Sequence, residues 1–188
     1  MQEQIQPVPL SMKGKILATL IMLGLLSMWM FAIYAYLTFP QEVPVHFGFS
    51  GDPTRYGDKS TFLILPAAFS IGPVIFILLT KYRFTLINKY PYLINLPAFF
   101  TYISKIQKER RGLWVNKYFE AMLCLGVALT FSLLTMEIGI FLGKIHGKLP
   151  PWFIPFSLTL PIWLTLPFLF YLRKLNSELK KEINHVSN

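Results

Sequence analysis

Residues 16–39 read ILATLIMLGLLSMWMFAIYAYLTF, from Ile16 to Phe39, without one charged side chain. At a helical rise of about 1.5 Å per residue the run reaches roughly 36 Å, enough to cross a hydrocarbon core of about 30 Å with some tilt. Lys13 and Lys15 precede it, and it closes on Tyr36-Leu37-Thr38-Phe39 before Pro40. A cleaved signal peptide has a shorter apolar core and a small-x-small cleavage site, so this run reads as an uncleaved anchor.

Three further runs follow. Phe62–Thr80 starts beside Ser60 and Thr61, either of which suits a helix cap, and carries Gly72-Pro73 near its centre, where a kink is expected. Phe119–Leu142 is interrupted by Glu120 and Glu137. Trp152–Leu172 contains Pro155, Pro161 and Pro167, with the hydroxyls of Ser157, Thr159 and Thr165 close enough to help satisfy freed backbone groups.

The stretch 84–102 is apolar but is broken by Asn88, Lys89, Pro91, Asn95 and Pro97, and is not counted as a span. From Pro97 to Arg111, Phe99, Phe100, Ile103 and Ile106 recur at helical spacing, while Lys105, Lys108, Arg110 and Arg111 lie mainly off that stripe. The pattern predicts an amphipathic helix in the membrane interface, ended by Gly112, with Trp114 at headgroup level. The expected fold class is all-α: a polytopic membrane protein, a four-transmembrane-helix bundle with a cytoplasmic amphipathic interfacial helix, forming one membrane domain over 1–188.

Composition agrees. Of 188 residues, 54% are hydrophobic and 14% charged, with mean hydropathy +0.49, whereas a soluble domain carries about 25% charged residues. The net charge of +9 suggests nucleic acid only if topology is ignored. All but Arg55, Lys59, Lys144 and Lys148 of the 18 Lys and Arg residues precede the first run, separate the second from the third, or follow the fourth. The positive-inside rule then places both termini and loop 81–118 in the cytoplasm of a multi-pass cell-membrane protein, with 40–61 and 143–151 outside. Nucleic acid is not an expected partner; the lipid bilayer is. Cys124 stands alone, so no internal disulfide forms.

The first outer loop, Phe39 to Lys59, contains Ser50-Gly51-Asp52-Pro53 and Tyr56-Gly57-Asp58, both turn chemistry. Val45, Phe47 and Phe49 alternate with His46 and Gly48, predicting a short extended segment. Pro44, His46, Phe47, Gly51, Pro53, Tyr56, Gly57 and Lys59, placed directly after the first span, resemble the motif of the DUF1648 membrane family, which also supplies the N-terminal part of SdpI-type immunity and signalling proteins. Thr54 departs from an acidic residue often found after the proline, although Asp52 is adjacent; Pro66 in the next span also fits, and Asn95-Leu96-Pro97 resembles a looser family feature. The resemblance covers about Phe39 to Pro66. The family it names is one of unknown function; the leading expectation is a non-enzymatic membrane protein of this type that senses or binds a ligand at the outer face or acts in SdpI-like immunity or signalling.

Within this frame the candidate motif or ligand-binding residues are Pro44, His46, Gly51, Asp52, Pro53, Tyr56, Gly57, Lys59, Glu137 and His146. His46 suits a ligand or proton-responsive group, or equally a histidine that holds the loop's shape. Glu137, about 9 Å below the outer end of its span, is a candidate because an ionisable group inside a bilayer is costly; it reads as neutral, as paired with Lys144 or Lys148, or as lying near His46. No zinc-type spacing such as His-Glu-x-x-His occurs, and no cofactor or metal is expected. Gly139-x-x-x-Gly143 offers a close-approach face for a membrane partner or a second copy of the chain. Gly-x-Ser-x-Gly and phosphate-loop spacings are missing. The alternatives to a binding protein are a small transporter or channel, and an intramembrane enzyme using His46 and Glu137 as acid and base.

Overall fold

The computed structural model describes residues 4–186. Four long helices carry the apolar runs: α1 (Met12–Thr38), α2 (Thr61–Lys81), α5 (Lys108–His146) and α6 (Phe153–Val186), each long and apolar enough to cross a membrane. Between α1 and α2 lies a hairpin of β1 (Glu42–Phe47) and β2 (Pro53–Asp58). Between α2 and α5 lie the short helices α3 (Arg83–Lys89) and α4 (Pro97–Tyr102), with single 3-10 turns at Pro91–Leu93 and Ile103–Lys105.

The helices pack on α5. Where they touch, small residues let them approach: a Cβ on Gly126 would meet Ile21 Cδ1 at 2.8 Å and Phe76 Cβ at 3.0 Å, and one on Gly24 would meet Thr130 Cγ2 at 2.5 Å. Large apolar side chains elsewhere point out, including Leu26, Ile64, Ile71, Ile162, Trp163 and Phe170. In water such a surface is untenable; in lipid it is the expected one. Pro66 and Pro73 are accommodated within α2, and Pro161 and Pro167 within α6. Ser157 and Thr159 donate back to the carbonyls of Phe153 and Pro155 at 2.7 and 2.8 Å.

Helix α5 has 39 residues and α6 has 34, or roughly 58 and 51 Å of helix. Both therefore project well beyond a bilayer core of about 30 Å. Their extensions build a second core away from the hairpin. Trp114, Tyr118, Phe119, Leu175 and Leu179 are buried there with Ile5, Ile87, Phe99, Ile103 and Ile106. Tyr118 donates to Asn176 Oδ1 at 2.5 Å, and Arg110 pairs with Glu182 at 3.1 Å.

This cap revises three local expectations. The helix read over 97–111 is divided: α4 and a 3-10 turn end at Lys105, and α5 starts at Lys108. Its apolar stripe exists, but Phe99, Ile103 and Ile106 close over the cap core. Gly112 does not stop a helix; it lies inside α5, where a Cβ would meet the carbonyl oxygen of Gln6 at 2.8 Å. Trp114 is only 2% exposed: it belongs to the cap core with Ile5, Leu175 and Leu179 rather than lying open at headgroup level.

The N-terminal segment is strapped down by side chains distant in sequence. Asn88 pairs with both the amide and the carbonyl of Ile5 at 2.9 Å. Arg83 donates to the carbonyls of Val8 and Thr80 and to Asn116 Oδ1, and Asn116 Nδ2 donates to the carbonyl of Pro9. Burial pushes the Arg83 guanidinium below its ordinary pKa, partly offset by the carboxylate of Glu120.

Candidate functional site

The motif loop is a clasp. β1 and β2 pair antiparallel, with Val43 opposite Gly57, Pro44 opposite Tyr56 and Phe47 opposite Pro53, and bulges around His46. Gly57 sits under Val45, whose methyl carbons lie 3.2 Å from where a Cβ would stand. The tip turns through Gly51 at φ +81°, the left-handed region glycine occupies without strain. Gly48 N–H donates to the Asp52 carbonyl, and Gly51 N–H to the Gly48 carbonyl, both at 2.9 Å.

Each end of the hairpin is tied to a helix. Lys59 Nζ donates to the carbonyl of Phe39 at 3.3 Å and lies 5.1 Å from the centre of the Tyr36 ring, placing a cation at the carbonyl end of α1. Asp58 accepts the Ser60 N–H at 2.7 Å and a bond from Gln41 Nε2. These contacts, the Ser60 hydrogen bonds first, hold its carboxyl below the usual range. The second loop is fastened to the hairpin tip. Leu149 N–H donates to the Gly51 carbonyl at 2.8 Å, and Lys148 Nζ lies 3.0 Å from Asp52 Oδ1.

His46 stands exposed on β1, its Nδ1 2.5 Å from Thr54 Oγ1. The histidine thus pairs across the hairpin with the residue that departs from the acidic pattern. Tyr56 is also exposed, whereas Pro44 is buried.

Two hollows flank the clasp. One, of about 260 Å³, is bordered by Pro44, His46, Thr61, Leu65, Ile140 and Lys144. The other, of about 770 Å³, lies between the hairpin tip and the α5–α6 loop, with Phe49, Gly51, His146, Lys148, Leu149 and Ile154 among its walls. Leu149 and Ile154 border both. His46 and His146 therefore serve neighbouring hollows, and Glu137 borders neither.

Glu137 is fully buried in α5, and both carboxylate oxygens lack a hydrogen-bond partner. Of the readings open for it, pairing with Lys144 or Lys148 is not made. Lys148 turns to Asp52, and Lys144 Nζ lies 4.6 Å from the centre of the Phe62 ring. An acid–base pair of His46 and Glu137 is thus not formed. Among the described residues no three His, Cys, Asp or Glu side chains gather as metal ligands. The face of Gly139 and Gly143 is occupied from within the chain: Cβ atoms there would meet Phe153 Cδ2 at 2.5 Å and Leu149 Cδ2 at 2.8 Å. That removes it as a free surface for a partner helix. Phe62 and Phe141 join the site unannounced; the available signal for Phe141 was its spacing between Glu137 and Lys144, at i, i+4 and i+7 along one helix face.

The family described as a domain of unknown function, DUF1648, matches residues 23–69, from within α1 through the hairpin into α2. An "Uncharacterized protein" of Archaeoglobus fulgidus is 42% identical over 182 residues, covering 95% of this chain and 98% of its own length. The chain belongs to the DUF1648 family. No solved structure matches it. In this DUF1648 protein the matched segment is the unit that turns the chain between two long apolar helices. Its motif residues Gly51, Asp52, Gly57 and Lys59 each make a contact that holds the turn.

Proposed function

We propose that this DUF1648 protein is a non-enzymatic binding protein that takes an amphiphilic ligand at its hairpin end. The observation that carries the reading is the hollow of about 770 Å³ between the two clasped loops, within the range of small-molecule sites. Phe49, Leu142, Leu149 and Ile154 supply apolar walls, while His146 and the Lys148–Asp52 pair supply polar groups. An apolar body with an acidic head fits that division. The test is photo-crosslinking with a diazirine-bearing fatty acid in nanodiscs, followed by peptide mapping. Adducts on residues 142–155 that Ile154→Trp abolishes support the reading; adducts spread along α1, α2 and α6 alike overturn it.

The hairpin end faces outward in this proposal, and the termini face the cytoplasm of a cell membrane, because the basic residues crowd the cap. In a Cys124→Ser background, Ser50→Cys reacts with an impermeant maleimide in intact cells; protection until lysis reverses the orientation. SdpI-like signalling is compatible with such a receptor. Transport is the second reading, favoured by the membrane-buried Glu137.

A further inference from the structure

A carboxyl group with no exposed surface and no partner for either oxygen is an exception among buried polar groups. As a bare carboxylate inside a helix bundle it is costly, because nothing replaces the water it gives up. Its surroundings offer no compensating charge. Helix α1 carries no charged residue between Lys15 and its end, α2 none between Thr61 and Thr80, and α6 none before Arg173. On α5 itself the nearest basic group toward the hairpin is Lys144, two turns away, and the hairpin's basic side chains are His46, Lys59 and the exposed Arg55. Lys144 is held over Phe62, His46 by Thr54, and Lys59 by the end of α1.

Along α5, between Glu137 and the Lys144 that borders the hollow with His46, aromatic side chains gather on Phe141 as a plug. Phe141 lies one turn above Glu137, its ring centre 5.0 Å from that of Phe39 and 6.2 Å from that of Phe62. Phe31 closes the group, 4.7 Å from Phe141. The next layer below, Leu133 and Leu134, packs on Ile21, Leu25 and Met28. Glu137 is thus sealed by apolar layers on both sides along α5.

We propose that Glu137 is an occluded proton-binding site, reached from the hollow bordered by His46 and Lys144 past the Phe62–Phe141 plug. Binding forms one O–H bond on the carboxylate, and opening of the plug lets that proton leave to water in the hollow. The site is independent of the amphiphile proposal, which concerns the other hollow.

The test is infrared spectroscopy of the full chain in proteoliposomes at neutral pH. The wild-type minus Glu137→Gln spectrum shows a protonated-acid carbonyl band that exchanges slowly in heavy water. Phe141→Ala, by opening the plug, speeds that exchange at least about tenfold, a change of ~1.4 kcal/mol in the opening equilibrium. Side-chain heavy-carbon glutamate in the unmutated chain shifts the same band, which assigns it to a glutamate even if a variant misfolds, and Glu120→Gln, which leaves the band in place, assigns it to Glu137. A carboxylate band in place of the acid band, or exchange in wild type as fast as in Phe141→Ala, overturns the proposal.

Discussion

The amide of Leu149 donates to the carbonyl of Gly51 at 2.8 Å, so the loop joining α5 to α6 is bolted to the tip of the hairpin joining α1 to α2. One backbone bond links the two connections at this end of the bundle. The conformation of Gly51, with φ +81°, sets the direction of its carbonyl.

Gly51→Ala tests that bolt. A Cβ would stand 3.4 Å from Leu149 Cβ and from its carbonyl oxygen, and the left-handed conformation costs a residue with a Cβ about 1–2 kcal/mol. The variant is expected to melt several degrees lower in detergent. Gly48→Ala, at a glycine without positive φ and with Thr54 Cγ2 3.4 Å away, is the control and loses much less. Equal losses would remove the special role given to Gly51.

The ion pair beside the bolt gives a pH dependence. A hydrogen bond from Ser50 and then the Lys148 ammonium hold the Asp52 carboxyl below its ordinary value of 3.8. A lowered folded-state pKa contributes stability that is fully present above 3.8 and is lost as pH falls through the folded-state value. Wild type should therefore lose thermal stability on acidification below that point, more steeply than Asp52→Asn. Melting curves in detergent across the acid range measure the difference; parallel pH profiles would show that the Asp52 contacts do not operate in solution.

How much of this was legible in the sequence follows from how local each signal is. The four long helices were, because an unbroken run such as Ile16–Phe39 carries its own evidence. The extended segment around Val45 and Phe47 was too, through its alternation. The cap was not. Asn88, Arg83 and Asn116 bind the carbonyls or amide of Ile5, Val8 and Pro9 across more than seventy positions of sequence, and no spacing rule pairs an amide side chain with a distant backbone. Gly112 was misread for the same reason: its small size serves contact with Gln6, not helix termination. At the hairpin end, the type of each motif residue was visible, but the contacts that divide His46 from Glu137 were not.

Arg83→Lys probes the cap. Its guanidinium serves Val8, Thr80 and Asn116 at once through three different nitrogens, a fan that an ammonium cannot reproduce. Leaving buried carbonyls without donors is expected to cost about 3 kcal/mol. The readout is digestion of the folded protein with proteinase K: cleavage within residues 4–10 should appear well before cleavage of the long helices, and earlier than in wild type. An unchanged digestion pattern would show that the strap is held by Asn88 and apolar packing alone.

Glu137→Met separates structural need from retained function. The carboxyl makes no hydrogen bond, so an apolar side chain of similar length loses nothing and removes a buried polar group, whose uncompensated burial costs about 1–3 kcal/mol in protein interiors. Met is flexible enough to fit among Leu133, Leu134, Ile140 and Phe141 without new strain. The variant is therefore expected to melt higher than wild type, while Glu137→Gln, still polar and still unpartnered, gains little. A residue whose removal stabilises the fold is kept at a cost, which is the pattern of a functional group inside a packed bundle. If instead Met and Gln both lower the melting temperature by similar amounts, the acid makes a bond that holds the bundle, and its role is structural.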